Sequence, residues 1–93
     1  MPRVQVKPLG ELWKVMRRDE YLNLKDGGNI YDLIKAIDAQ YGTKIWESSI
    51  NTDTMDLQES ATIFVNGYPV RGKLDSMLRD GDIVIIYPDV GCC

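Results

Sequence analysis

The sequence predicts an α+β domain, in which one amphipathic helix packs on one face of a mixed β-sheet. Three observations support this class. One segment, Ile30–Tyr41, has clear helical periodicity. Several short segments alternate apolar and polar residues or concentrate β-branched residues, as strands do. The most apolar of these segments, Ile83–Tyr87, comes last, which indicates a strand at the centre of the sheet.

The N-terminal part of the chain is predicted to hold two strands with a short helix between them. Arg3–Lys7 alternates apolar and polar residues, as a half-buried strand does, and Pro8 ends it. Tyr21–Leu24 predicts a second strand with both of its leucines facing inward. Between the two strands, apolar residues fall at helical spacing and predict a short helix with one apolar stripe: Leu9, Leu12, Trp13 and Met16.

The main helix is predicted over Ile30–Tyr41. Asn29 is a favourable N-cap, and Asp32 three residues later is close to a capping-box pattern. Gly42 is suited to ending the helix. One face of the helix is apolar and is expected to pack on the sheet: Ile30, Leu33, Ile34, Ile37 and Tyr41.

A long connection is predicted to follow the main helix. Residues 43–61 contain apolar side chains without a steady period and many Ser, Thr, Asn and Asp residues. This composition indicates a partly anchored connection with room for one short strand. Trp46, in this connection, and Trp13, in the early helix, are both expected to pack in the core or at its rim.

The last third of the chain is predicted to contain a hairpin and the central strand. Thr62–Val65 predicts a strand, and Asn66-Gly67 is the strongest short hairpin signal, so that Tyr68–Val70 returns beside it. Leu74 and Leu78 are expected to fill the core from an irregular segment.

The order of these elements predicts a β-grasp layout. Ile83–Tyr87 is nearly continuous β-branched sequence and is expected to be covered on at least part of both faces. The first strand can lie beside it only in parallel, with the main helix crossing the sheet between the two halves. We expect a β-grasp domain over residues 1–87 and a flexible C-terminal tail over residues 88–93, which reads "PDVGCC".

Composition excludes several classes of protein. The 93 residues suit one small domain, and the net charge of −3 argues against nucleic acid as the main partner. There is no apolar run of the length that a secretory signal or a membrane span needs, so no membrane partner is expected. The expected location is the cytoplasm, with Cys92 and Cys93 as reduced thiols.

An enzyme acting by itself is not expected. The chain has no histidine, so that neither a Ser/His nor a Cys/His pair is possible. A ferredoxin cluster needs four cysteines and this chain has two, which are adjacent and lack zinc-site spacing. No phosphate-binding glycine loop is present. We therefore expect no intrinsic catalytic residue, no cofactor and no metal site.

Four segments, in order, resemble the ubiquitin-like sulfur carriers. "VQVKPLGEL" resembles their first strand and short helix, "GGNIYDLIKAIDAQYG" their main helix, and "IFVNGYPV" their hairpin. "LDSMLRDGDIVIIYPDV" resembles their Leu-x-x-x-Leu-x-Asp-Gly-Asp run, their last strand and the proline that begins the tail. The resemblance covers nearly the whole chain. It is closer to the small subunit of molybdopterin synthase than to the related carrier of the thiamine pathway.

The resemblance implies a function for the C-terminus. Carriers of this family end in Gly-Gly, and an ATP-dependent activating enzyme adenylates their terminal carboxylate, after which sulfur replaces AMP to give a thiocarboxylate. The corresponding sulfur-carrying residues here are Gly91, Cys92 and Cys93. Glycine suits such a tail because it lets the backbone enter a narrow channel.

The resemblance also implies partners and a docking surface. The expected partners are the ubiquitin-activating type of enzyme and the large subunit of molybdopterin synthase, together with a processing protease if the tail is trimmed. The partner-binding residues are expected near the root of the tail: Tyr87, Pro88, Val90 and Phe64. For Phe64, packing in the core is the simpler interpretation, whereas Tyr87 stands where the resemblance places a partner-facing aromatic residue.

The tail departs from the family pattern, because Cys92 and Cys93 stand where the two glycines should be. Three interpretations stay open: the cysteines are trimmed to expose Gly91, the Cys93 carboxylate is activated directly, or the tail is never activated and the domain is a ubiquitin-like binding module. A persulfide on a tail thiol and service in another sulfur-insertion pathway are further alternatives. In each case we expect a mobile tail with both cysteines exposed.

Overall fold

A computed structural model describes all residues, 1–93, and shows a five-stranded mixed sheet with one long helix packed on one face. The sheet order is β2-β1-β7-β5-β6, and β3 and β4 form a separate two-stranded ribbon. The elements are β1 (Arg3–Pro8), α1 (Glu11–Met16), β2 (Glu20–Asn23), α2 (Ile30–Tyr41), α3 (Ile45–Ser49), β3 (Ile50–Asn51), β4 (Asp56–Leu57), β5 (Thr62–Val65), β6 (Tyr68–Pro69), β7 (Ile83–Tyr87) and a 3₁₀ turn (Val90–Cys92).

The last strand lies at the centre of the sheet, as predicted. β7 pairs in parallel with β1, so that Val6 lies beside Val84, and it pairs antiparallel with β5, where Ile63 faces Ile86. These side chains point to the inner face and are buried. The outer face of β7 is only partly covered, because Tyr87 is exposed. The predicted β-grasp class is confirmed.

The main helix has the predicted bounds. The Asn29 side chain accepts a hydrogen bond from the amide of Asp32, and the Asp32 carboxylate accepts one from the amide of Asn29, which completes a capping box. Gly42 ends the helix in the left-handed conformation, which glycine adopts without a steric penalty. The predicted apolar face is buried except for the half-buried Tyr41: Ile30, Leu33, Ile34 and Ile37.

The connection over residues 43–61 is more ordered than predicted. It contains the one-turn helix α3 and the β3–β4 ribbon, where one short strand at most had been expected. Its apolar residues show no regular spacing in the sequence, but they attach the connection to the rest of the domain. Ile45, Ile50 and Leu57 are buried in the core. Trp46 is half-buried, and its ring contacts the ring of Tyr31 edge to face, at the rim of the core as predicted.

The early helix is shorter than the predicted run of apolar residues at helical spacing, which begins at Leu9. It begins at Glu11 because Gly10 has a positive φ of 60°, so that Leu9 precedes the helix and does not follow its period. Leu12 and Met16 are buried, but Leu9 is exposed and Trp13 is 49% exposed. The prediction that Trp13 packs in the core or at its rim is therefore wrong.

The hairpin and the irregular segment after it follow the sequence prediction. Asn66 and Gly67 both have positive φ, which matches the twist of the strands that they join. Leu74 and Leu78 are buried, as expected. The Arg71 guanidinium donates hydrogen bonds to three carbonyl groups at the end of β4 and in the loop before β5, which fixes this loop: those of Leu57, Gln58 and Ala61. None of the helices is both long and apolar enough to cross a membrane.

Candidate functional site

The candidate site is the root of the C-terminal tail, where β7 ends beside the start of α1. The amide of Leu9 donates a hydrogen bond to the carbonyl of Ile86 at 2.9 Å, which joins the two segments. The Tyr87 ring packs over Gly10, where an added Cβ would lie 3.4 Å from the tyrosine Cζ. Tyr87 is nevertheless 50% exposed, so one side of its ring is available to a partner.

The outer face of the sheet continues this surface. Ile85, in β7, lies between Lys7 of β1 and Phe64 of β5, and all three are half-buried. Because Ile63 and Val65 flank Phe64 and Ile63 points to the core, the Phe64 side chain lies on the opposite, outer face. The simpler interpretation of Phe64 as a core residue is therefore wrong, and its place beside Ile85 is compatible with the expected docking surface.

Two further residues expected to bind a partner differ from each other in exposure. Val90 is 81% exposed and is available for contact. Pro88 is buried, so its ring cannot offer a surface to a partner as expected. The physical reason is that the chain turns inward directly after Tyr87, which places the proline against the domain.

The tail itself folds back onto the domain. Val90–Cys92 forms a 3₁₀ turn, which Asp89 caps by accepting a hydrogen bond from the amide of Val90 at 2.7 Å. Cys92 is fully buried, whereas Gly91 and Cys93 on either side of it are exposed. The prediction that both cysteines are exposed is therefore wrong for Cys92, because its side chain enters the apolar core between α1 and α3.

Helix α3 provides the polar contacts of the tail. The amide of Lys44, the N-cap residue of α3, donates a hydrogen bond to the carbonyl of Cys92. The hydroxyl of Ser49, the last residue of α3, accepts one from the amide of Asp89 at 3.1 Å. Ser49 is only 1% exposed, so the tail satisfies a buried polar group. Sequence patterns missed these residues, since a five-residue helix has too few turns to show a period.

The two cysteines are joined in a disulfide, whereas reduced thiols were expected. Their adjacency in the chain keeps the two sulfur atoms within bonding reach. The bond closes a ring through both side chains and the intervening peptide bond, so that the exposed Cys93 is tied to the buried Cys92.

The perturbed titratable groups have structural explanations and do not point to acid–base chemistry. A hydrogen bond from Arg18 lowers the pKa of Glu20, and burial raises the pKa values of Tyr31 and Tyr41. Backbone amides lower the pKa of Asp56. No group of three or more His, Cys, Asp or Glu side chains is arranged to hold a metal ion.

Comparison with known proteins gives structural but not sequence matches. No protein-family model matches the sequence, and no curated protein matches it significantly. Among solved structures, a Pyrococcus furiosus protein assigned as molybdopterin converting factor, subunit 1, is 25% identical with a TM-score of 0.71, over 97% of this chain and 100% of that one. The small archaeal modifier protein 1 of Methanosarcina acetivorans is 24% identical with a TM-score of 0.72, over 97% of this chain and 95% of that one.

A third similar structure comes from a complex. The BexX/CysO complex of Amycolatopsis orientalis contains a chain that is 21% identical with a TM-score of 0.69, over 94% of this chain and 96% of that one. These neighbours are small carrier and modifier proteins rather than enzymes, and one of them was solved with a partner. The resemblance to ubiquitin-like sulfur carriers is confirmed by the shared β-grasp fold over nearly the full length.

Proposed function

We propose that this chain is a sulfur carrier protein whose C-terminal carboxylate is activated by an ATP-dependent enzyme. The observation that carries the proposal is that the tail leaves the central strand β7 directly beside the exposed Tyr87 ring. A partner that docks on Tyr87 and the outer sheet face would have the tail within reach. Fold neighbours that include a molybdopterin converting factor subunit support this reading.

The proposed chemistry needs no catalytic residue from this chain. A carboxylate oxygen attacks the α-phosphorus of ATP, pyrophosphate leaves, and the product is an acyl-adenylate. Sulfide, or a persulfide on the partner, then attacks the acyl carbon and displaces AMP. Sulfide gives the thiocarboxylate directly, whereas a persulfide gives an acyl disulfide, which a thiol reductant cleaves to the thiocarboxylate while the thiol is oxidised to a disulfide. This chain supplies the carboxylate and a docking surface, while the enzyme supplies ATP and the acid–base groups.

The sulfur acceptor proposed first is the molybdenum- or tungsten-cofactor precursor, with the large subunit of molybdopterin synthase as second partner. Service in the thiamine pathway or in another sulfur insertion is the alternative. A cytoplasmic location, where thiols stay reduced, belongs to the same proposal.

Pyrophosphate exchange with the activating enzyme of the same host tests the proposal. The full-length chain and a chain ending at Gly91 are compared, because they differ by two residues, or about 7 Å of extended chain. Exchange with the full-length form alone means that the Cys93 carboxylate is activated directly. Exchange with the shortened form alone means that a protease must first remove Cys92 and Cys93. Such a displacement is far larger than catalysis tolerates, so one form should be strongly preferred.

The second candidate function is a binding module whose tail is never activated. The specific observation in its favour is the buried Cys92, which holds the tail on the domain. Absence of pyrophosphate exchange with both forms, in the presence of an enzyme that activates its own known carrier, would reject the carrier proposal and favour the binding module. Intact-mass measurement on protein from the native host checks the result, since trimming removes two cysteines and thiocarboxylation exchanges oxygen for sulfur.

A further inference from the structure

One residue anchors the C-terminal tail. Cys92 is 0% exposed and belongs to the main apolar core, although the residues before and after it are exposed. A cysteine side chain behaves as a small apolar group and is among the most frequently buried types. The tail is thus held by a side chain that the two-glycine tail of the carrier family lacks.

Two hydrogen bonds hold the tail at opposite ends of α3, one between two backbone groups and one to a side-chain hydroxyl. The Cys92 carbonyl accepts from Lys44 at the start of the helix, and the Asp89 amide donates to Ser49 at its end. The tail therefore lies along the helix and does not project from the domain. The six residues after Tyr87 would reach roughly 20 Å if extended, which this arrangement prevents.

The docked arrangement does not account for the glycine at position 91. Its φ is not in the left-handed region, and a Cβ added there would lie 3.6 Å from the Cβ of Ser48, an ordinary contact. The docked tail therefore does not require glycine at this position. A glycine that the docked state does not need is explained by a state in which the tail is released and its backbone enters a narrow channel.

We propose that the tail is an autoinhibitory latch: Cys92 anchors it in the cleft between α1 and α3, and the terminal carboxylate reaches a partner enzyme only after Cys92 leaves the core. The role of the latch in activation rests on the function proposed above, whereas the anchoring is a property of the isolated domain. Proteolytic removal of Cys92 and Cys93 would also release the tail from the domain, because it would remove the buried anchor.

A matched pair of variants tests the latch in reducing buffer. Cys92→Gly removes the buried side chain and Cys93→Gly removes the exposed one, and both remove the disulfide and add one glycine. Hydrogen exchange of the Lys44 amide reports docking, because this amide donates to the Cys92 carbonyl. We expect exchange at least about tenfold faster in Cys92→Gly than in Cys93→Gly, since only the former loses the buried apolar group. A chain ending at Gly91 should behave like Cys92→Gly. Equal exchange in the two variants would overturn the latch.

The reduced wild-type chain supplies a test that does not depend on a variant's folding. Alkylation with iodoacetamide, at less than one modification per chain, should label Cys93 at least about tenfold faster than Cys92, because only the exposed thiol is accessible. Equal labelling would also overturn the latch. Pyrophosphate exchange separates this proposal from the function: if no form is activated but labelling and amide exchange differ as expected, the anchor stands and the carrier function fails.

Discussion

The Asp38 carboxylate accepts a hydrogen bond from the backbone amide of Ile45 at 2.8 Å, so a side chain of α2 caps the first turn of α3. The same carboxylate accepts from the Trp46 amide at 3.0 Å and from the Thr43 hydroxyl at 2.6 Å. Free amides at a helix N-terminus need such partners. Because α3 contacts the tail at Lys44 and Ser49, Asp38 links the main helix to the cleft that holds the tail.

Asp38→Ala should lower the free energy of unfolding by about 1–2 kcal/mol, the usual cost of losing a helix cap. Urea denaturation at neutral pH measures this loss. The control is Asp53→Ala, which removes an exposed carboxylate from the turn of the β3–β4 ribbon and should leave the midpoint nearly unchanged. If Asp38→Ala unfolded at the wild-type urea concentration, α3 would not depend on this cap.

Replacement of a core residue on α2 should abolish stability. Ile34 and Ile37 are fully buried against the sheet, and aspartate at either position places an unpaired charge in the core. The cost of several kcal/mol is comparable to the whole stability of a small domain. Thermal unfolding followed by circular dichroism measures it. Ala39→Asp, on the exposed side of the same helix, is the control and should melt close to the wild type.

Acid should destabilise the protein partly through Asp56. Its carboxylate accepts hydrogen bonds from the amides of Gly72 at 2.8 Å and Leu57 at 2.7 Å, which hold its pKa below the usual value. A carboxylate with a lowered folded-state pKa stabilises the fold above its unfolded pKa, and this contribution is lost as the pH falls through the folded pKa.

Asp56→Asn tests this pH dependence. The variant should be less stable than the wild type at pH 7, and the difference should shrink between about pH 5 and about pH 3. Urea midpoints measured across this range check the prediction. A difference that stayed constant with pH would mean that the side chain acts through its shape and not through its charge. Asp53→Asn, on the same ribbon, is the control and should follow the wild-type pH profile.

Tyr87→Ala and Val90→Asp should weaken the complex with the activating enzyme while the fold stays intact. Both side chains are exposed at the root of the tail, and aromatic residues at such positions often dominate binding. We expect a loss of affinity of about tenfold or more, measured by isothermal titration calorimetry. Met77→Ala changes an exposed apolar residue elsewhere on the surface and is the control. Unchanged affinity for both tail-root variants would move the interface to another surface.

Much of the fold could be predicted from the sequence because its main signals are local. The bounds of α2 follow from its cap residues, Asn29 and Gly42, and from a steady apolar period. β7 follows from a run of β-branched residues, and its parallel pairing with β1 follows from the order of the elements. The residues within α2 and within β7 are enough to indicate the type of each element, so each was predictable without knowledge of what packs against it.

The elements that sequence reasoning missed depend on contacts between distant residues. α3 is too short to show a period and is stabilised by Asp38, seven residues before Ile45. The burial of Cys92 depends on α1 and α3, which contact the 3₁₀ turn of the tail from distant parts of the chain. A chain terminus is expected to be mobile unless something binds it, and no local pattern in "DVGCC" shows that something does.

The parallel pairing of β1 with β7 also affects how the domain folds. β1 spans residues 3–8, but its central neighbour in the sheet spans residues 83–87. Until β7 is in place, β1 has only β2 beside it, and an isolated pair of strands is marginally stable at best. The sheet is therefore complete only after two distant segments of the chain have met, and this long-range central pairing predicts slower folding than a helical protein of equal length.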